Sequence, residues 1–210
     1  MPAARPLISR SGWLAGALAL LLAACSSGPS APDEGEYVKE LSAQRAYKDQ
    51  HFSESPESPV PKDKRGALLP LPYFPVEPNY AVPASLKLSD ERPVFEMPTS
   101  TGTMRRMALV GVIEFTLQGG PRRLGAFVPE GTTEIETLFI PFADLTTGKD
   151  TYSAGRYLDI EPTRTGYYTI DFNRAYNPYC AYNASYECPY PPPSNRLDVA
   201  VAAGEKVPGA

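Results

Sequence analysis

The chain has 210 residues, of which 42% are hydrophobic, and its 20 Lys and Arg against 24 Asp and Glu give a formal net charge of −4. This length and apolar content suffice for one domain with a hydrophobic core. The negative balance argues against a nucleic-acid partner, whose phosphates require clustered Lys and Arg.

Residues 1–24 have the layout of a secretory signal peptide. Arg5 and Arg10 form a charged start, an apolar run extends over residues 13–22, and small residues follow it. The run is too short to span a bilayer. We therefore expect these residues to be removed on export.

The segment "LAAC", residues 22–25, resembles the lipobox of bacterial lipoproteins, in which the Cys becomes the first mature residue and carries the lipid. We predict that Cys25 is lipidated, with chains such as palmitate, and that residues 25–36 form a flexible polar tether. The alternative is a Cys that merely follows an ordinary signal peptide. Because Ser26 is not the Asp that often signals inner-membrane retention, we expect anchoring at the periplasmic face of the outer membrane in a cell with two membranes.

A helix is predicted from Asp33 to about Phe52. This stretch lacks proline and is rich in helix formers, and Asp33 is placed to cap it with Glu36 three residues on. Its apolar positions, including Val38 and Leu41, form only a thin stripe. We expect the helix to lie against the domain rather than at its centre.

Residues 55–98 contain ten prolines. Proline at this density is incompatible with helices and with interior sheet positions, but the apolar side chains in "LLPLPYFPV" require burial. We predict an extended segment that drapes over the domain and ends in an edge strand near Ala84–Leu88. The alternative is a polyproline ligand for a partner protein.

From Met104 the apolar pattern changes to a period of two. In "ALVGVIEFTL" the residues Leu109, Ile113, Phe115 and Leu117 are predicted to share one face of a half-buried strand. "QGGP" then turns the chain and "RRLGAFV" returns, which predicts a hairpin.

Four further strands are predicted, at "TLFIPF", "RYLDIE", "YYTIDFN" and "RLDVAV". Short strands with turn signals and a single flanking helix indicate a mainly β fold, an antiparallel sandwich or small barrel with one N-terminal helix and a long Pro-rich extended segment. We expect residues 37–206 to form this single domain and residues 207–210 to form a tail.

The turn "PTRTG" predicts a hairpin whose register follows from its own pattern. If Glu161 opposes Tyr167, the apolar residues of both strands share one face, and Asp159 and Asp171 become diagonal neighbours about 7–8 Å apart on the other. Two carboxylates on one face suit general acid and base catalysis or a shared cation. They are equally compatible with an ordinary solvated sheet face.

Two cysteines remain for the folded domain once Cys25 is assigned to the lipid. In an oxidising compartment Cys180 and Cys188, eight positions apart, indicate a disulfide worth about 2–3 kcal/mol. A metal site is the rival interpretation, but two thiolates need further ligands and the only histidine, His51, lies far upstream. We predict no metal and no cofactor.

Several stretches resemble a known family. "PFADLTTGKDTYSAGRYLDIE", "DFNRAYNPYCAY" and "CPYPPPSNRLDVAVAAGEK" are similar to the domain-of-unknown-function family 1684, with a match expected from about Tyr37 to Lys206. The family has no established activity, so the resemblance implies a grouping and no mechanism. It also implies a set of characteristic positions: Asp144, Thr151, Tyr152, Gly155, Arg156, Tyr157, Asp159, Asp171, Asn173, Arg174, Tyr176, Asn177 and Pro178.

We expect a membrane-anchored envelope lipoprotein whose β domain binds a small ligand or an envelope protein. The alternative is a hydrolase that uses Asp159 and Asp171 as acid and base, with or without a divalent metal, and the sequence leaves open whether the protein is an enzyme. The candidate binding residues are Asp144, Arg156, Tyr157, Asp159, Asp171, Asn173, Arg174, Tyr176 and Asn177.

Overall fold

The structure is a computed structural model that describes residue 1 and residues 33–209. The predicted signal peptide, the lipidation at Cys25 and most of the predicted tether lie outside the described residues and stay predictions. The chain divides into two units, Met1–Asp33 and Glu34–Ala210, and every described helix and strand belongs to the second. Within residues 33–209, none of the helices combines the length and the hydropathy needed to cross a bilayer.

The predicted N-terminal helix is confirmed as α1, Glu34–Glu54. It buries Leu41 and Phe52 against the domain. The Pro-rich segment that follows is not wholly extended, because it contains a three-residue 3-10 turn, Lys62–Lys64, and a one-turn helix α2, Arg65–Leu68. Both lie between Pro61 and Pro70, where no proline interrupts the backbone hydrogen bonds.

The predicted mainly β, antiparallel fold is confirmed. Seven strands form one curled sheet, a half-barrel with the hydrogen-bonded order β6-β5-β4-β3-β1-β7 and with β2 also paired to β3. All named pairings are antiparallel, and the main core collects buried side chains from six of the strands and from the segment after residue 196. The strands are β1 Ala81–Leu88, β2 Val94–Pro98, β3 Met104–Leu117, β4 Gly120–Pro129, β5 Leu138–Phe142, β6 Arg156–Ile160 and β7 Tyr167–Asp171.

The prediction of an edge strand near Ala84–Leu88 is wrong. Strand β1 lies inside the sheet, between β3 and β7. Its proline is tolerated because the β1–β3 pairing begins at Ala84, so Pro83 faces only Thr169 of β7.

The β3–β4 hairpin is confirmed, with a two-residue turn at Gln118 and Gly119, which have φ values of 52° and 75°. Two consecutive positive φ values are typical of the type I′ turn that suits a twisted hairpin. One face assignment is wrong. A bulge between Leu109 and Gly111 shifts the alternation, so Leu109 packs against Met97, Met107 and Phe127 instead of joining the main core.

The predicted hairpin between β6 and β7 is wrong. Strand β6 pairs with β5, placing Asp159 opposite Phe139, and β7 pairs with β1, placing Asp171 opposite Ala81. The two strands lie at opposite ends of the sheet order. Their alternating pattern identified the buried face correctly, but alternation does not specify which strand is the partner.

The predicted strand "RLDVAV" is also wrong. Residues 196–201 form no named strand, although Leu197 and Val201 are buried in the main core. The backbone of this segment meets the residues just after β5 at a single bridge between Ala143 and Arg196 and at one later hydrogen bond, from the Leu145 N–H to the Val199 carbonyl at 3.1 Å. Further along, side-chain donors satisfy two carbonyl groups, because Gln118 donates to that of Ala200 and Arg156 to that of Val201.

Candidate functional site

Asp144 and Arg156 form a fully buried ion pair. Arg156 Nη2 donates to Asp144 Oδ2 at 2.9 Å and to the Val201 carbonyl at 2.9 Å, and Nη1 donates to the carbonyls of Ala203 and Glu205. The side chain of Arg156 is 0% exposed and that of Asp144 is 1% exposed. Burial lowers the pKa of Arg156, and the neighbouring carboxylate of Asp144 opposes that shift. These two predicted binding residues therefore stabilise the core and are not accessible to a ligand.

Asp171 is surrounded by donors. Tyr37 Oη lies 2.9 Å from both carboxylate oxygens, and Arg174 Nε donates to Oδ2 at 3.0 Å. Asn173 adds its backbone N–H at 3.0 Å and its side-chain amide at 3.1 Å. Burial and the Asp171 carboxylate raise the pKa of Tyr37. Asp171 thus anchors α1 to the end of β7.

Asp159 lies apart from this network and is exposed. Its carboxylate accepts a hydrogen bond of 2.6 Å from Tyr176 Oη. Partial desolvation raises the pKa of Asp159, and the hydrogen bond from Tyr176 opposes that shift. The predicted acid–base pair of Asp159 and Asp171 required β6 and β7 to be neighbouring strands. These strands do not pair, so the structure gives no support to that pair.

Tyr157 and Tyr176 link β6 to the segment after β7. Their backbones exchange two hydrogen bonds, of 2.9 and 3.0 Å, and their rings meet edge to face with centroids 5.8 Å apart. Tyr157 Oη also donates to the Pro189 carbonyl at 2.6 Å. Tyr157 is buried, whereas Tyr176 is half-buried and has one side on a cavity.

Sequence reasoning missed Glu205, whose side chain is buried at the centre of the site. It forms an ion pair with Lys48 of α1 and accepts hydrogen bonds from Tyr182 Oη at 2.7 Å and from the Asn177 backbone at 2.7 Å. Tyr73 Oη donates to it at 3.3 Å. The only signal in the sequence was its place in "AAGEK", one of the family-like stretches.

A cavity of about 220 Å³ lies between α1 and the residues that follow β7. Three cationic side chains and two tyrosine rings contribute to its wall, and one carboxylate, that of Glu205, reaches it. Neither Asp159 nor Asp171 lines it. The lining residues are Leu41, Gln44, Arg45, Lys48, Tyr73, Asn173, Arg174, Ala175, Tyr176 and Glu205. The structure therefore brings together Asn173, Arg174 and Tyr176 of the predicted set.

Arg45 carries the donor in this cavity that the fold leaves unused. Its Nη1 donates to the Phe74 carbonyl at 2.9 Å and its Nη2 to the Asn173 carbonyl at 3.2 Å, while its guanidinium lies 4.4 Å from the centroid of the Tyr73 ring. In the part of the chain that the structure describes, no acceptor reaches the buried Nε of Arg45. A buried N–H without an acceptor is costly, so a shift of the Arg45 side chain that brings this N–H to a ligand oxygen would be favourable.

Two other cavities contain none of the predicted site residues. A shallow groove of about 800 Å³ is lined by Arg122, Arg123 and Arg196 together with Glu114 and Asp198, among others. A second, of about 320 Å³, adjoins Tyr190 and Pro191. Within residues 33–209, no three His, Cys, Asp or Glu side chains cluster closely enough to hold a metal ion.

The two remaining cysteines lie together. Both are buried free thiols in the structure, and the backbone N–H of Cys180 donates to Cys188 Sγ at 3.1 Å. The fold thus places Cys180 and Cys188 in one buried cluster without a bond between their sulfurs. The disulfide stays a prediction.

The fold and the site define a class of protein: an antiparallel half-barrel whose N-terminal helix covers a small cationic cavity. The chain belongs to the DUF1684 family, described as a protein of unknown function, whose model matches residues 68–206. This match begins after α1, later than the expected start at Tyr37.

A solved structure supports the same grouping. The solution NMR structure of an uncharacterized protein from Haloarcula marismortui shows 40% identity and a TM-score of 0.65. The alignment covers 83% of this chain and 96% of that one. No curated protein matches. The family and the fold are therefore established, and the relatives supply no activity.

Proposed function

We propose that the protein is a membrane-anchored envelope lipoprotein whose β domain binds a small organic carboxylate in the cavity beneath α1. The anchor is inferred from the signal-like N-terminus and from Cys25, with the periplasmic face of the outer membrane as the location in a cell with two membranes. The ligand is inferred from the chemistry of the cavity. The observation that carries the proposal is Arg45, a guanidinium on the cavity wall that has no carboxylate partner among the described residues and whose buried Nε has no acceptor there.

The charge of the cavity favours an anion. Of the three cations that line it, Lys48 is paired with Glu205 and Arg174 with Glu40 and Asp171, whereas Arg45 has no carboxylate partner among the described residues. Because Glu205 is 1% exposed and is paired with Lys48, its negative charge is largely neutralised. A guanidinium with a free N–H suits a carboxylate, which accepts charge-assisted hydrogen bonds.

The size of the cavity limits the ligand. A volume of 220 Å³ corresponds to roughly seven water molecules at about 30 Å³ each, so we expect a ligand of about ten non-hydrogen atoms or fewer. Tyr73 and Tyr176 supply flat apolar walls for its carbon skeleton. Most ligand pockets combine such walls with a few polar groups that set orientation.

A ligand in this place would join two parts of the fold. Arg45 and Lys48 belong to α1, whereas Asn173, Arg174 and Tyr176 follow β7. Unfolding separates these residues, so the ligand binds only the folded state. Binding must then stabilise the protein by mass action, by about 2.7 kcal/mol when its concentration is a hundred times Kd.

The test is thermal unfolding of the full chain in detergent, against a panel of small mono- and dicarboxylates with inorganic phosphate and uncharged analogues for comparison. For a protein of this size, about 2.7 kcal/mol raises Tm by about 5–10 °C. Arg45→Gln should abolish the shift. Lys39→Gln, an equal charge change at an exposed position of the same helix, should retain it.

Two results would contradict the proposal. One is a panel in which no carboxylate raises Tm. The other is a carboxylate whose shift survives in Arg45→Gln, which would place the ligand elsewhere. Each variant is compared with its own ligand-free Tm, so a loss of basal stability in Arg45→Gln does not obscure the outcome.

A further inference from the structure

The pair of cysteines is held in a fixed arrangement by backbone contacts. Ser100, in the turn between β2 and β3, donates its N–H to the Cys188 carbonyl at 3.0 Å and accepts the Cys188 N–H on its hydroxyl at 3.0 Å. Cys180 lies on a 3-10 turn, Tyr179–Ala181, and aims its N–H at Cys188 Sγ, 3.1 Å away. Neither sulfur needs a large backbone movement to reach the other.

The two thiols are not equivalent. The hydroxyl of Tyr152 donates toward Cys180 Sγ from 3.9 Å, and the neighbouring Cys188 thiol is a second possible donor to it. These donors stabilise a thiolate at Cys180 and, against the opposing effect of burial, lower its pKa to about 6. The same contact raises the pKa of Cys188, because its proton is shared with the thiolate.

The surroundings of the pair are otherwise neutral. The titratable groups that face it are the tyrosines at 152, 157 and 190, and the exposed ion pair of Arg105 and Glu187 lies beside Cys188. The rings of Tyr152, Tyr176 and Tyr186 pack around the sulfurs but are only half-buried. Cys180 is 8% exposed and Cys188 is 5% exposed, so a small reagent approaches the pair at Cys180, past the edges of these half-buried rings.

We propose that Cys180 and Cys188 form a redox-active dithiol that exchanges with small-molecule disulfides, with Cys180 as the attacking thiol and Cys188 as the resolving one. This site is separate from the cavity beneath α1. The sequence predicts a permanent structural disulfide instead. Such a disulfide requires neither two inequivalent thiols nor access for a reagent.

The chemistry balances in two steps. The Cys180 thiolate attacks one sulfur of an external disulfide, forming a mixed disulfide and releasing the first external thiolate. Cys188 then gives its proton to a departing thiolate and attacks the Cys180 sulfur, so that the internal disulfide forms and the second external group leaves. The protein dithiol is oxidised, and one external disulfide is reduced to two thiols.

The first measurement is the alkylation rate of each cysteine in the reduced full chain at pH 6 and pH 8. Trypsin leaves both cysteines on residues 175–196, and cleavage after Glu187 separates them, so mass spectrometry resolves each one and distinguishes both from Cys25. Between these pH values a thiol of pKa about 6 gains only about twofold in thiolate, whereas an ordinary thiol of pKa about 8.5 gains about 75-fold. We expect the alkylation rate of Cys180 to change little between pH 6 and pH 8 and the alkylation rate of Cys188 to rise steeply.

The second measurement uses oxidised glutathione. Cys188→Ser should accumulate glutathione on Cys180, and the wild type should end with an internal disulfide and two released glutathione thiols per chain. Tyr152→Phe should move the Cys180 profile to higher pH, whereas Tyr186→Phe, which removes a hydroxyl without a contact to either sulfur, should leave it unchanged.

Any of three outcomes overturns the proposal. Cys180 has a steep alkylation profile, Cys180→Ser accumulates glutathione as fast as Cys188→Ser, or the folded wild type stays oxidised in a large excess of reduced glutathione. The last outcome would show that Cys180 and Cys188 form a structural disulfide. The wild-type profile needs no substitution, so the test stands even if a variant fails to fold.

Discussion

Replacing Asp144 with Asn tests whether the Asp144–Arg156 pair holds the core together. Asn keeps the acceptor Oδ1, which receives the Thr146 N–H at 2.7 Å, the Thr146 hydroxyl at 2.6 Å and the Val201 N–H at 3.2 Å. In place of Oδ2 it puts an amide NH₂ against Arg156 Nη2. Arg156 then lies in the core as a cation opposite another donor, with only carbonyl groups as acceptors.

The expected loss follows from burial. A hydrogen bond to a charged group contributes about 1.5–3 kcal/mol, and removing one partner of a buried ion pair costs about 3–5 kcal/mol in total, because the remaining charge is uncompensated. In a protein of this size each kcal/mol corresponds to about 2–4 °C, so Tm should fall by about 6–20 °C. Adding Arg156→Met should cost less than the sum of the single substitutions, since it removes the orphaned cation.

The assay is urea unfolding at neutral pH, followed by tyrosine fluorescence and circular dichroism. Glu114→Gln is the matched control, because it breaks the exposed Lys87–Glu114 pair and should change the free energy of unfolding by less than about 1 kcal/mol. If Asp144→Asn costs no more than this control, the pair is solvated and our structural assignment of Asp144 and Arg156 is wrong.

Three further substitutions test other contacts of the fold. Asn195→Ala should cost about 3 kcal/mol in urea unfolding, because the buried Asn195 amide bridges Gly125 of β4 to the Pro141 carbonyl of β5 and its loss leaves three backbone groups unpaired. Phe52→Ala should cost about 3–5 kcal/mol and make α1 more sensitive to limited proteolysis, since the ring packs edge to face on Tyr182 with centroids 5.7 Å apart. Gly204→Ala should lower the free energy of unfolding by about 2–3 kcal/mol, because its φ is +75° and a Cβ would lie 2.6 Å from a carbonyl oxygen. Alanine at the open position Gly66 is the control for that change.

Local features of the fold were predictable from the sequence. Helix α1 follows from a proline-free stretch with a capping residue at its start, and the β3–β4 hairpin follows from alternating apolar residues around a short glycine turn. Both depend on residues close together in the chain. The mainly β, antiparallel class follows in turn from the number of such strands.

Partners distant in the chain were not predictable in the same way. The alternation in β6 suits any neighbouring strand. The short turn "PTRTG" favours pairing with β7, the next strand in the chain, whereas in the structure β6 pairs with β5. The bulge beside Leu109 likewise leaves no mark in the apolar pattern. Only the packing of the whole sheet selects these arrangements.

The site was predicted in part, for a physical reason. Charged and aromatic residues near turns are good candidates, and Asn173, Arg174 and Tyr176 do line the cavity. A sequence does not reveal whether a charge will be neutralised internally, so Arg156 was indistinguishable from a ligand-binding arginine. Glu205 was missed because its partners, Lys48 and Tyr182, are 157 and 23 residues away.

The four contacts of Arg156 also constrain the order in which the chain becomes native. Its carbonyl acceptors lie 45 to 49 residues further along. During synthesis from the N-terminus, β6 therefore emerges with Asp144 already present to neutralise Arg156, but without the three carbonyl groups that accept the other hydrogen bonds of the guanidinium. Burying the guanidinium before these acceptors exist would leave its N–H groups unpaired, so we expect the half-barrel to close late, when the stretch around Ala203 arrives.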